Sequence, residues 1–162
     1  MSVEPSVATV GNDYSPFEWL AHVLINFAVG EQAIGTLCLE LKLPIEKGSL
    51  SSLADLRRRL AAAGESRCNA LNLRIQRWSD NRPQRHLLAH ATIQCLTDSA
   101  GRLVVVTRHL PREKDDVTPD KAWTTDERQE ILRQATNDGR SIADQVRNII
   151  SDRQLINKLR AA

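Results

Sequence analysis

Arg85 and His90 are the residues whose types and spacing best suit chemistry in this chain, and they stand in the stretch Arg82-Pro83-Gln84-Arg85-His86-Leu87-Leu88-Ala89-His90. A guanidinium grips a phosphate in a planar fork. An imidazole takes and gives protons near neutral pH. Breaking an RNA chain through its own 2′-hydroxyl needs both. One proton is taken, one is given, and the extra negative charge on a five-coordinate phosphorus must be offset. His90 suits the proton work and Arg85 the phosphate oxygens. The stretch follows a turn and cap, Ser79-Asp80-Asn81, and opens a helix whose N-terminal dipole favours an anion. On a straight helix five residues turn about 140°, so Arg85 must reach round from the first turn to act beside His90.

Arg82 lies four residues before His86 and belongs to the same cationic surface, so both are expected to contribute to substrate binding. His86 and His90 are four apart and share a helix face, a spacing that also suits metal ligands. Asp80 lies too far back and Gln94 is a poor ligand, so no metal site and no cofactor is expected here. The plain alternative is an exposed basic helix, or a histidine satisfied within the core. Glu31 falls where the first helix's seam wants an apolar residue. It either orients a motif Arg or His across the bundle or sits at the seam's edge.

Arg85-His86-Leu87-Leu88-Ala89-His90 resembles the Rx4-6H signature of the HEPN superfamily: an arginine, a polar residue, a short apolar stretch and a closing Ala-His. The resemblance spans roughly residues 15–150 and includes the order of the elements. It implies a helical bundle that forms a homodimer with two motif helices facing each other. It implies metal-independent RNA cleavage that leaves a cyclic phosphate, in toxin–antitoxin, anti-phage or RNA-processing settings. It also implies a possible antitoxin or nucleotidyltransferase partner. Members that have lost catalysis serve as binding modules, so a non-catalytic module for a partner protein or nucleotide is the competing expectation.

The chain has 162 residues, 41% hydrophobic and 26% charged, enough for one domain with its own core. Aromatics are only 4%, so that core is aliphatic, which suits packed helices. Net charge is +2, too small to signal nucleic acid by itself. Its distribution says more: residues 45–90 carry nine bases against four acids, and 1–44 one base against five acids. Cys38, Cys68 and Cys95 lack CxxC spacing and read as small buried residues of a reducing compartment. There is no Gly-x-Ser-x-Gly, no phosphate-cradling glycine loop, and no interleaving of aromatics with basic residues. No signal peptide is visible, and the apolar stretch 19–29 is too short to span a bilayer. A cytoplasmic protein without a membrane role is the expectation.

The periodicity predicts how the segment is held. Residues 1–13 read as a flexible tail and 14–160 as a single helical domain. Ser15-Pro16 starts a long helix with Phe17, Leu20, Leu24, Phe27, Ile34, Cys38 and Leu41 in register. Its nearly continuous apolar run from 19 to 29 predicts burial on more than one face, by a central position or a partner subunit. Helices follow over Ser49–Ala63 and Glu65–Trp78, then the motif helix from Arg82 to about Ile93. His22 is expected to be packed and His109 exposed. A small β-hairpin over 94–97 and 102–107 comes next, then an exposed loop over 110–122. Thr124-Thr125-Asp126-Glu127 forms a capping box for a last helix running to Ile150 or Leu159. The predicted class is all-α: a helical bundle with a hairpin inserted before the last long helix.

Overall fold

The computed structural model describes residues 14–44, 50–108 and 119–162. The expectations for the tail 1–13, the start of the second helix at Ser49, His109 and most of the loop at 110–122 lie outside the described residues. Among the described residues the chain forms six helices and one small antiparallel sheet. They are α1 (Pro16–Glu40), α2 (Leu53–Ala62), α3 (Ser66–Asp80), α4 (Arg82–His90), β1 (Thr92–Thr97), β2 (Leu103–Arg108), β3 (Lys121–Trp123), α5 (Thr125–Ser151) and α6 (Arg153–Ala161).

Local chemistry starts and stops these elements. Ser15 and Thr124 each accept the backbone N–H three residues on, and Glu18 and Glu127 reach back to accept the cap N–H, so α1 and α5 both begin with a capping box. Asp152 ends α5 in extended backbone, and its carboxylate accepts the Leu155 N–H to start α6. The last helix reaches Ser151, as the expectation of at least Ile150 had it, but the stretch to Leu159 is a separate helix, because an aspartate that caps so well outcompetes continuation.

The core is the long parallel seam between α1 and α5, with α3 packed on α5, α2 on α3, and α4 against α1 and α3. Trp19, Val23, Phe27, Ile34, Leu37 and Cys38 of α1 meet Ile131, Ala135, Ile142, Val146 and Ile149 of α5 in one cluster. Two glycines fix which stripe of α1 faces inward. A Cβ on Gly139 would collide with the Asn26 carbonyl, and a Cβ on Gly30 would stand 2.7 Å from Trp78 Nε1. These two bare backbones let α5 and the Trp78 indole approach α1 closely. The inward stripe is thus Trp19–Val23–Phe27–Gly30–Ile34, and Phe17, expected in the seam, is 68% exposed. His22 is exposed rather than packed, with its ring 4.6 Å from that of Tyr14.

The sheet is larger than the hairpin read from the sequence. Its order is β1-β2-β3, all antiparallel, and β3 takes in the last two residues, Lys121 and Ala122, of the segment expected to be a loop. Trp123 of β3 carries the reason: it is fully buried against Trp19 (ring centres 5.6 Å apart), and its Nε1 donates to Thr107 Oγ1 at 3.0 Å. Trp19 Nε1 donates to the Arg128 carbonyl at 2.7 Å, which ties the start of α1 to the start of α5. Cys38 and Cys68 are buried as expected, whereas Cys95 on β1 is exposed.

Candidate functional site

The motif helix α4 is nine residues long and ends at His90, not Ile93. Ala91 takes extended backbone and the chain turns straight into β1. Ile93, Cys95 and Leu96 pair with Thr107, Val105 and Val104 of β2, and these cross-strand partners stop the helix where its local pattern would let it continue. Leu88 is buried and Leu87 half-buried, so α4 is anchored by two adjacent leucines while Arg82, His86 and His90 point to solvent.

Arg85 turns toward α1. Its Nη2 donates to Glu31 Oε2 at 3.4 Å, with the two side chains 36% and 31% exposed. Glu31 thus stands beside the motif arginine, one residue along α1 from the close-packed Gly30. His86 and His90 stack on the neighbouring face with ring centres 4.5 Å apart and planes at 53°. Arg85 and His90 make no hydrogen bond to each other, and Arg82 is exposed without an ion-pair partner among the described residues. The helix brings together two pairs, Arg85 with Glu31 and His86 with His90, and holds Arg82 at its start. No acidic residue occupies the first turn of α4, and Asn81, at the cap position, makes no side-chain hydrogen bond to it. Pro83 has no N–H, and the Gln84 and Arg85 N–H groups donate to the Asn81 carbonyl, so two arginines and the helix dipole, not open amides, are what that end offers an anion.

Sequence reasoning missed a polar cluster just behind the motif. Asn81 Nδ2 donates to Gln134 Oε1 at 3.1 Å, and Arg74 Nη1 donates to Asp138 Oδ1 at 2.8 Å across the α3–α5 interface. With Arg77, Arg133, Asp80 and Asn137 these line an open cleft of about 390 Å³. Asp138 was the legible signal: it falls on the buried stripe of α5 between Ala135 and Ile142, where a carboxylate must find a partner. Arg133 is engaged by Glu130, whose carboxyl is pulled down to about 2, chiefly by its hydrogen bonds with Arg133 and then Gln134. No group of three or more His, Cys, Asp or Glu suited to a metal ion occurs among the described residues.

One described helix, α1, is long and apolar enough to cross a membrane, with a mean hydropathy of 1.2 over its best window. The apolar stretch 19–29 lies within this 25-residue helix. Within this fold its Trp19, Val23 and Phe27 face the core.

No protein-family model matches the chain, and comparisons with curated proteins and with solved structures found no match.

Proposed function

We propose that this chain is a HEPN-like, cytoplasmic, metal-independent endoribonuclease that works as a homodimer. The observation that carries the reading is the geometry of α4: one short, anchored helix with no acidic residue in its first turn holds Arg85 against Glu31 and presents exposed His86 and His90. His90 takes the 2′-hydroxyl proton of RNA as the oxygen attacks the adjacent phosphorus, and the bond to the 5′-oxygen breaks to leave a cyclic phosphate. The partner subunit supplies the second imidazole that protonates the leaving oxygen. Arg85 offsets charge on the phosphorane oxygens, and Glu31 holds its guanidinium in place. Arg82 and His86 bind flanking phosphates. An antitoxin or nucleotidyltransferase partner in a toxin–antitoxin or anti-phage setting belongs to the same proposal.

The second reading is a non-catalytic module that binds a partner protein or nucleotide. The Arg85–Glu31 ion pair favours it, because a guanidinium already neutralised can serve packing alone. The experiment is cleavage of a mixed RNA pool in EDTA by wild type, Arg85→Ala and His90→Ala. Cleavage by wild type that falls by about 10²- to 10⁴-fold in His90→Ala supports the nuclease. No cleavage by any of the three leaves the binding module.

A further inference from the structure

We propose that His86 and His90 form a binding site for a divalent transition-metal ion of the zinc, nickel or copper kind. Both rings are exposed, lie one turn apart on α4, and stand 4.5 Å centre to centre. With metal–nitrogen bonds of about 2.0–2.1 Å, two imidazoles on one ion hold their ring centres about 4.5 Å apart at a right angle and about 5.2 Å apart at a tetrahedral one. The spacing observed without an ion is therefore close to the spacing an ion demands. Leu88 is buried and Leu87 half-buried, so the backbone that carries the two rings is held in place. The ring planes already diverge by 53°, so the rings meet at an angle instead of lying flat against each other.

The donor set decides the ion. Two neutral imidazoles suit zinc, nickel and copper, whereas magnesium and calcium require oxygen ligands. No third protein ligand completes the set among the described residues, so water fills the remaining positions and the ion exchanges. Each imidazole gives one lone pair and no bond to carbon, oxygen or hydrogen need break. Bound there, the ion occupies the lone pair His90 needs to accept a proton. Metal would thus inhibit RNA cleavage, a consequence that rests on the nuclease reading. Ion binding itself does not.

The test is calorimetric titration of tag-free, EDTA-stripped, full-length protein with Zn²⁺ alone and, in parallel, Mg²⁺ alone. One Zn²⁺ per chain is expected, with no heat from Mg²⁺. His86→Ala and His90→Ala should each weaken Zn²⁺ binding on the order of tenfold or more, and His22→Ala and Cys95→Ser should leave it unchanged. Circular dichroism checks each fold, and His86→Gln repeats the test with a polar side chain of similar size. Unchanged Zn²⁺ affinity in the folded His86 and His90 variants overturns the site, as does equal binding of Mg²⁺. If Zn²⁺ binds as expected but wild type cuts no RNA in EDTA, the metal site stands and the nuclease reading falls. If wild type cuts in EDTA and, with the EDTA removed, Zn²⁺ in excess over protein does not slow it, the inhibitory role falls.

Discussion

Arg85 is useful to phosphate chemistry only if its guanidinium is aimed and still partly open to solvent. The Glu31 carboxylate aims it from α1, and the pair is about one-third exposed, so it adds less than about 1 kcal/mol to stability. Its value in the nuclease reading is orientation. Glu31→Gln keeps an acceptor for the Arg85 N–H and should retain most of the cleavage, while Glu31→Ala removes it and should lower the rate with little change in melting temperature. The reverse pattern, a lower melting temperature with no change in rate, marks a packing role. The cysteines give a second test at this scale. Burial pushes the Cys38 thiol up to about 11 and raises Cys68 as well, so both resist forming the reactive thiolate. A thiol reagent should label one of the three cysteines, Cys95, in the folded protein, and all three in denaturant. Rapid labelling of two or more under native conditions contradicts the burial.

Helices here are held by caps at their starts and by close approach at their middles. Gly30→Ala must displace Trp78, and Gly139→Ala must push α5 off the Asn26 carbonyl. Each should destabilise by about 1–3 kcal/mol, a drop of several degrees in a thermal melt. Gly64→Ala is a contrasting case: no atom crowds its Cβ, and its cost comes from a φ of +67°. The helix-start carboxylates predict the acid response. Glu18, Glu127 and Asp152 are all held below their ordinary range, chiefly by accepting the backbone N–H groups of Ser15, Thr124 and Leu155. A depressed folded-state carboxyl contributes stability above its unfolded pKa, and that stability is lost as pH falls through the folded value. Melting temperature should therefore decline from about pH 4 downward, and Asp152→Asn should flatten the decline. An unchanged slope in that variant removes Asp152 from the account.

Over the whole molecule, α1 carries two apolar faces and the fold covers one. Phe17, Ile25 and Leu39 are 68%, 58% and 66% exposed along the other. The dimer in the proposed function gives that stripe a role, since a composite active site needs two copies of α4. Light scattering should return twice the 18.1 kDa chain mass, and Ile25→Asp should shift the protein toward the monomer. A wild-type monomer at high concentration removes the second imidazole and with it the two-histidine mechanism.

The helices and their caps were legible because their signals are local. Ser15-Pro16, Thr124 to Glu127, and the spacing of Cys68, Leu71, Ile75 and Trp78 each encode structure within a few turns. The strand run Leu103–Val106 was equally plain. Elsewhere neighbours far along the chain decided. Trp123 drew Lys121 and Ala122, the end of an expected loop, into a strand because Trp19 and Thr107 receive its ring and N–H. Strand pairing with β2 ended α4 at His90. Gly30 and Gly139 chose between two apolar stripes of α1 that hydropathy alone leaves equivalent. The same holds at the candidate site. Sequence placed Arg85, His86 and His90 on one helix, since their spacing needs nothing but a helix. Only the packing of α4 across α1 brought Glu31 to Arg85, because a contact between residues 54 apart depends on where two helices cross.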